Sequence, residues 1–334
     1  MKNKIFLLPV ICVVFLSACR QQEYKETKLM LDTACEITVI SSNKLKAEKA
    51  INEAFKEIER IDKLCGYGKE SEVSGINTNA GVSSVKTDKE LYDLIEESVR
   101  IADFTSGAFD ITVGPLISLW GFDTAKPSLP SKSEIKRILP LVNYKNIKLD
   151  SEKSTVFLVK KGMKIDLGGI AKKYAMRMAM HKLLENGIKK ALVNLGGDIQ
   201  VRGGALDNQP WKIGVKHPRK PDELATIFKF KDKTIVTSGD YERYFINNGI
   251  RYHHIFDPHT GYPAKKVISA TVITDGPIIA DVFSTAMFTL GIEKSLTLLK
   301  KIPGTEVLII NETKRGNEII LSEGLKKMNL ALKF

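Results

Sequence analysis

The sequence predicts an α+β fold in which mixed and antiparallel sheets pack with helices and two related halves meet at one site. Three observations carry this. Amphipathic stretches of helical period alternate with short β-branched runs. Asp166-Leu-Gly-Gly169 and Asn194-Leu-Gly-Gly197 repeat one pattern, each at the end of an apolar run, so two half-structures are expected to converge there. Asn248-Gly249 stands between two aromatic runs, a strong hairpin signal because both turn positions need positive φ.

Residues 1–18 read as a secretory signal: Lys2 and Lys4 precede an apolar run from Ile5 to Leu16, which is too short to span a bilayer. Leu16-Ser17-Ala18-Cys19 is similar to the lipobox of bacterial lipoproteins. The mature chain is therefore expected to start at a lipidated Cys19, outside the cytoplasmic membrane. Residues 19–27 form its expected tether, since RQQEYKET is polar and without period. Residues 28–334 are expected to fold as one domain, with no Pro/Ser-rich linker inside.

The formal charge is +12, and removing Lys2 and Lys4 leaves +10 on the mature chain. That balance favours anionic partners, and the lysine-rich stretches 159–164 and 216–220 suit either a solvated face or contact with lipid headgroups or a pyrophosphate. An exported address argues against nucleic acid. With Cys12 in the signal and Cys19 lipidated, only Cys35 and Cys65 remain, as one bridge or as two buried thiols.

Residues 28–40 read as one strand, interrupted at Asp32-Thr33. A helix over about 44–64 carries Ala47, Ile51, Ala54, Phe55, Ile58 and Ile61 on one face. A polar loop then presents Tyr67 between two glycines, and a second helix covers about 88–104. Asp110, set between Phe109 and Ile111, needs donors or a ligand to stay charged, and Trp120 reads as core. After the loop at 123–132 come a short helix near 132–138 and strands around 146–149, 155–159 and 163–167.

At 164–175 the pattern is strand, turn, helix: Gly168-Gly169 frees the backbone to turn and Ile170 opens the helix. Helix-terminal amides together with Lys172 suit a phosphate. Strands follow at 191–195, 211–218 and 224–238, then the polar constellation 238–265. His253 and His254 alternate faces, so only one can address a site. Three histidines here invite zinc, but the spacing lacks a His-x-x-x-His pair. A strand at 267–274 leads to a helix on which Asp281 and Thr285, four apart, share a face. They form an oxygen pair for a hard cation, or alternatively a capping bond.

Gly-Ala-Phe-Asp110, Asp166-Leu-Gly-Gly-Ile-Ala-Lys172, Asn194-Leu-Gly-Gly-Asp198, Ser238-Gly-Asp-Tyr-Glu-Arg243, His254-Ile-Phe-Asp-Pro-His-Thr-Gly261 and Ala280-Asp-Val-Phe-Ser-Thr-Ala286 occur in that order. From about residue 28 onward the chain resembles the ApbE-type FAD:protein FMN transferases. The resemblance implies a T-fold-like α+β architecture with FAD between the halves, and FAD as substrate with Mg²⁺. It implies transfer of FMN to a threonine or serine hydroxyl of an exported flavoprotein, such as a redox-complex subunit, with release of AMP.

By position, it implies that Asp281, Thr285 and a main-chain carbonyl at Gly169 (or Ala171) ligate the metal. Leu31, Tyr67, Ala108, Phe109, Asp110, Lys172 and Ile255 would then line the FAD site. Where the family has Met-Gly-Thr, this chain has Leu31-Asp32-Thr33. His254 is the expected base, because an imidazole titrates near neutrality, with Asp257 as the alternative. Two other readings share these residues: a hydrolase giving FMN and AMP, and a flavin-binding lipoprotein without catalysis. Retention of both Asp281 and Thr285 argues against pure binding.

Overall fold

The computed structural model describes residues 20–67, 71–124, 126–265, 267–275, 278–313, 316–328 and 330–333, with backbone path alone for 278–281. The signal segment and Cys19 lie outside them. In chain order the elements are β1 (Gln22–Met30), β2 (Thr33–Ser41), α1 (Lys44–Cys65), α2 (Glu72–Thr78), β3 (Val85–Lys86), α3 (Lys89–Phe104), α4 (Gly114–Trp120) and α5 (Lys132–Ile138). Then come β4 (Ile147–Asp150), β5 (Thr155–Leu158), α6 (Gly168–Glu185), β6 (Ala191–Leu195), β7 (Asp198–Arg202), β8 (Trp211–Lys216), β9 (Leu224–Phe230) and β10 (Lys233–Gly239). The chain ends through β11 (Tyr244–Asn247), β12 (Ile250–His253), β13 (Ser269–Thr274), α7 (Ile278–Leu290), α8 (Ile292–Leu299), β14 (Thr305–Thr313), β15 (Gly316–Leu321) and α9 (Glu323–Lys326).

An eight-stranded sheet in the order β1-β2-β6-β7-β10-β13-β14-β15 organises the molecule. It is a doubled unit. In the first half a hairpin (β1–β2) is followed by helices and a second hairpin (β6–β7), and β2 pairs with β6. In the second, β10–β13 is followed by α7 and α8, then β14–β15, and β13 pairs with β14. The halves join where β7 meets β10, with Val201 opposite Lys233 and Ile199 opposite Ile235. The repeated Leu-Gly-Gly pattern is thus not the signature of the duplication, since both copies belong to the first half.

Alternation along the strands sends residues to two cores. Ile37, Val39, Val193, Val236, Val272, Val307 and Ile309 face the helices, whereas Ile40, Val201, Ile235, Ile273, Leu308 and Ile310 pack against β8, β9 and α9. The stripe on α1 predicted from its period is buried, each residue at most 2 % exposed. Burying its isoleucines and phenylalanine is worth roughly 1.5–3 kcal/mol apiece. Asn43 accepts from the Lys46 amide at the start of α1, and Ser131 and Glu134 form a capping box on α5. Cys35 and Cys65 are separate free thiols, pushed up to about 11 and about 12 mainly by burial.

Several expectations need correction. The strand expected at 28–40 is a hairpin that turns on Leu31 and Asp32, both at positive φ (53° and 55°). Residues 22–27, expected in the tether, are the outer part of β1; an edge strand has one neighbour, so its side chains read as polar. The 224–238 stretch divides into β9 and β10. Residues 163–167 join no sheet. There the Asn77 side chain bonds both the amide of Ile165 (2.7 Å) and its carbonyl (3.0 Å), and the Asp166 amide donates to Ile111 (2.7 Å), replacing a strand partner.

Candidate active site

The turn expected at Gly168-Gly169 is instead the first turn of α6, and neither glycine has positive φ. What these positions require is room. A Cβ on Gly169 would stand 3.0 Å from the Phe109 ring, and one on Gly168 3.0 Å from Asp166 Oδ1. Asp166 accepts from the Gly168 amide (2.7 Å), placing a carboxylate at the positive end of the helix. Burial raises its pKa, and Tyr67 lies against it while donating its hydroxyl to the Ile165 carbonyl (3.2 Å). Burial and the Asp166 charge hold the Tyr67 hydroxyl protonated, well above its ordinary range.

Ala108, Phe109 and Asp110 are buried beside this turn. The Asp110 side chain accepts from the amide (2.8 Å) and hydroxyl (2.7 Å) of Thr112 and from the Tyr144 amide (2.9 Å). It acts as a structural cap, and burial raises its pKa despite these bonds. Lys172 stands one turn into α6. Burial first, then the neighbouring Lys173 charge, lowers its pKa, while Asp198 and Glu242 oppose the shift. A polyanion beside it would restore its full charge.

The two adjacent histidines separate by role. His253 is 4 % exposed; Nε2 meets the Ala264 carbonyl at 2.7 Å and Nδ1 accepts from the Ile255 amide at 3.2 Å, so both nitrogens are occupied. Among the described residues His254 has one nitrogen occupied. Its Nδ1 meets the Arg243 carbonyl at 3.2 Å; a carbonyl only accepts, so Nδ1 carries the hydrogen and Nε2 keeps its lone pair. Burial lowers its pKa to about 3, with the nearby charges of Arg243 and Lys172 adding to the shift.

An aromatic cluster fixes this segment. Trp120 packs on Phe245, Tyr252, Phe256 and Tyr262 and donates Nε1–H to the Gly261 carbonyl (3.1 Å). Arg243 donates to the Phe122 carbonyl, tying β11 to the segment after α4. Ile255 is 7 % exposed. Asp257 is held in its own turn, where Oδ1 accepts from the His259 amide (3.0 Å) and faces its Nδ1 at 3.2 Å.

Leu31 occupies the tip of the β1–β2 hairpin and packs against the main core. The hairpin reaches the second glycine pair, since a Cβ on Gly196 would strike Thr33 Oγ1 at 2.4 Å. Thr285 lies on α7, its hydroxyl 3.3 Å from that of Ser238, which also donates to Ser284 (3.0 Å). Asp281 is in the same helix one turn earlier, and its side chain lies outside the described residues. Among the described residues, no three His, Cys, Asp or Glu side chains converge as a ligand set, so the zinc reading has no support there.

The structure also adds residues that the sequence reading did not assign. Ser238 joins Thr285, Asn77 fixes the chain before α6, and Lys173 forms a buried ion pair with Asp198 at 3.3 Å. Ser238 and Asp198 stood within quoted motifs; Asn77 sat in a polar loop with no periodic signal.

A family profile described as the ApbE family matches residues 31–309. The chain is 32% identical over 313 residues to a FAD:protein FMN transferase of Treponema pallidum, covering 89% of this chain and 86% of the relative. It is 33% identical over 278 residues to one of Klebsiella pneumoniae, covering 82% and 85%. Among solved structures, an ApbE protein of Thermotoga maritima superposes with a TM-score of 0.84 at 38% identity, over 92% of this chain and 99% of that one. The flavin transferase ApbE of Vibrio cholerae superposes at 0.80 with 27% identity, over the same shares.

Proposed function

The chain belongs to the ApbE family and is a FAD:protein FMN transferase, and from that premise we propose that it modifies a threonine or serine hydroxyl of an exported flavoprotein with the help of Mg²⁺. The observation that carries the mechanism is the tautomer of His254. Its Nε2 lone pair is free while Nδ1–H is held by the Arg243 carbonyl, the arrangement a general base needs.

In this reading the acceptor oxygen attacks the FMN phosphorus of bound FAD. His254 Nε2 takes the hydroxyl proton, the phosphorus–oxygen bond to the AMP half breaks, and AMP leaves. Lys172 and the first turn of α6 face the pyrophosphate oxygens, where their charge is most needed as the bond breaks. Leu31, Tyr67, Ala108, Phe109 and Ile255 supply the surface for the rest of FAD. Asp110 fixes the Phe109 segment through its bonds to Thr112 and Tyr144, and its Oδ2, with one bond accepted, keeps a lone pair toward the site.

The hydroxyls of Thr285 and Ser238 are hard oxygen donors at 3.3 Å from each other, which suits Mg²⁺. Thr285, Asp281 and the Gly169 carbonyl would hold the ion; that carbonyl has a second lone pair beyond its helix bond. Bound there, Mg²⁺ would offset negative charge on the pyrophosphate. The proposal includes export and a lipid anchor at Cys19, on the sequence pattern of residues 1–19.

The test incubates the chain with FAD, Mg²⁺ and a threonine-bearing acceptor domain, and reads flavin fluorescence on a denaturing gel beside AMP release. Fluorescence should survive denaturation. It should fall by about 10²–10⁴ in rate in His254→Ala while FAD binding persists. AMP release without labelled protein would transfer the assignment to hydrolysis.

A further inference from the structure

The strands of the first half give the molecule two distinct ends. At one, Met30 pairs with Thr33 and Leu195 with Asp198, beside the active site; at the other, Gln22 pairs with Ser41 and Ala191 with Arg202. The nine residues of β1 set these ends about 27 Å apart. The N-terminal segment joins at Arg20, at the end remote from the site.

Three features mark that remote end. Lys44 and Lys46 lie in the first turn of α1, where Lys44 reaches the exposed Glu48 (3.7 Å), and Lys189 and Lys190 lie in the loop before β6, which the bonds of Lys46 and Lys190 hold against this end. Lys190 Nζ donates to Gln21 Oε1 and Lys46 Nζ to the Gly187 carbonyl, each at 3.0 Å. The first turn of α1 holds no acidic residue, so cations crowd the positive pole of a helix, an arrangement that an external anion relieves. Leu45, between two of those lysines, is 79 % exposed. An exposed leucine alone is ordinary, but one flanked by Lys44 and Lys46 at the end where the N-terminal segment joins matches an interfacial contact.

We infer that this end of the sheet docks on an anionic lipid surface, with Arg20, Lys44, Lys46, Lys189 and Lys190 on headgroup phosphates and Leu45 in the acyl boundary. The inference takes its location from the proposed anchor at Cys19, but the contact itself needs no acyl chain. It turns the active site toward the aqueous side, about one strand length from the lipid.

The chain from Arg20 onward keeps every described strand, helix and core residue and lacks Cys19, so it separates docking from lipidation. It should sediment with phosphatidylcholine vesicles containing phosphatidylglycerol, not with pure phosphatidylcholine, and added salt should release it. Lys44→Glu/Lys46→Glu/Lys189→Glu should weaken this about a hundredfold, and Leu45→Ser several-fold, with flavin transfer to a soluble acceptor unchanged. No retention on the anionic vesicles, equal retention on neutral ones, or an unaffected triple variant would overturn the docking face. So would a triple variant that loses transfer to the soluble acceptor, which would assign the lysines to a protein partner. Mass spectrometry of the mature N-terminus of the full chain tests the anchor separately, and an unacylated Cys19 would leave the vesicle result standing.

Discussion

His254 is held neutral by burial, with its free nitrogen exposed to chemistry and its other nitrogen spent on Arg243. Burial pushes its pKa down to about 3 from the ordinary 6.5, so the ring is unprotonated across the neutral range instead of titrating near neutrality as the sequence suggested. The acid limb of kcat/KM should therefore not fall near pH 6.5, and a limb at that pH that disappears in His254→Gln would overturn the lowered pKa while keeping the base role. The sign for stability follows from the same shift. The unfolded chain takes up a proton as pH drops through about 6.5 while native His254 does not, so stability is lost progressively from there toward pH 3. Denaturant titrations of wild type and His254→Gln should converge as pH falls through that window. The sequence could say that one of the paired histidines faces a site; which one depended on Ala264 and Arg243, whose carbonyls come from other segments.

The β1–β2 hairpin and the start of α6 show how local conformation was and was not legible. Two non-glycine residues at positive φ turn the hairpin, where each left-handed residue costs roughly 1–2 kcal/mol. Asp32→Gly should relieve part of this, raising stability by about 0.5–1 kcal/mol; a lowered thermal midpoint would mean that the Asp32 side chain makes a compensating bond. No turn signal marks Leu31-Asp32, which is why the sequence read as one strand, whereas Asn248-Gly249 was plain and forms the expected hairpin. Gly168-Gly169 was legible as a special position but for the wrong reason, since the demand is space beside Phe109, a residue distant in sequence. The Lys173–Asp198 pair links α6 to the β6–β7 turn with both side chains nearly inaccessible. Lys173→Met should cost about 3–5 kcal/mol by stranding Asp198, and adding Asp198→Leu should recover most of it. Failure of the second change to restore the denaturation midpoint would mean that Asp198 serves a further partner.

At the scale of the whole molecule, the eight-stranded sheet is two similar units joined edge to edge at β7 and β10. The helices expected at about 44–64 and 88–104 are α1 and α3 nearly residue for residue, and for α1 the reason is that an amphipathic stripe is local information. The doubling of the hairpin–helix–hairpin unit was not written in any repeated motif, because it lives in strand pairing between segments far apart in the chain. The proposed site is divided accordingly: Lys172 and Phe109 come from the first unit, His254 and Thr285 from the second. On that proposal neither unit would hold a complete catalyst. A chain cut in the loop before β8, between Leu206 and Gln209, should therefore yield two fragments that are silent apart and regain flavin transfer when mixed. The regained rate would report their association, so the seam between the units makes this enzyme a natural scaffold for fragment complementation, with covalently retained flavin as the light-emitting record of each encounter.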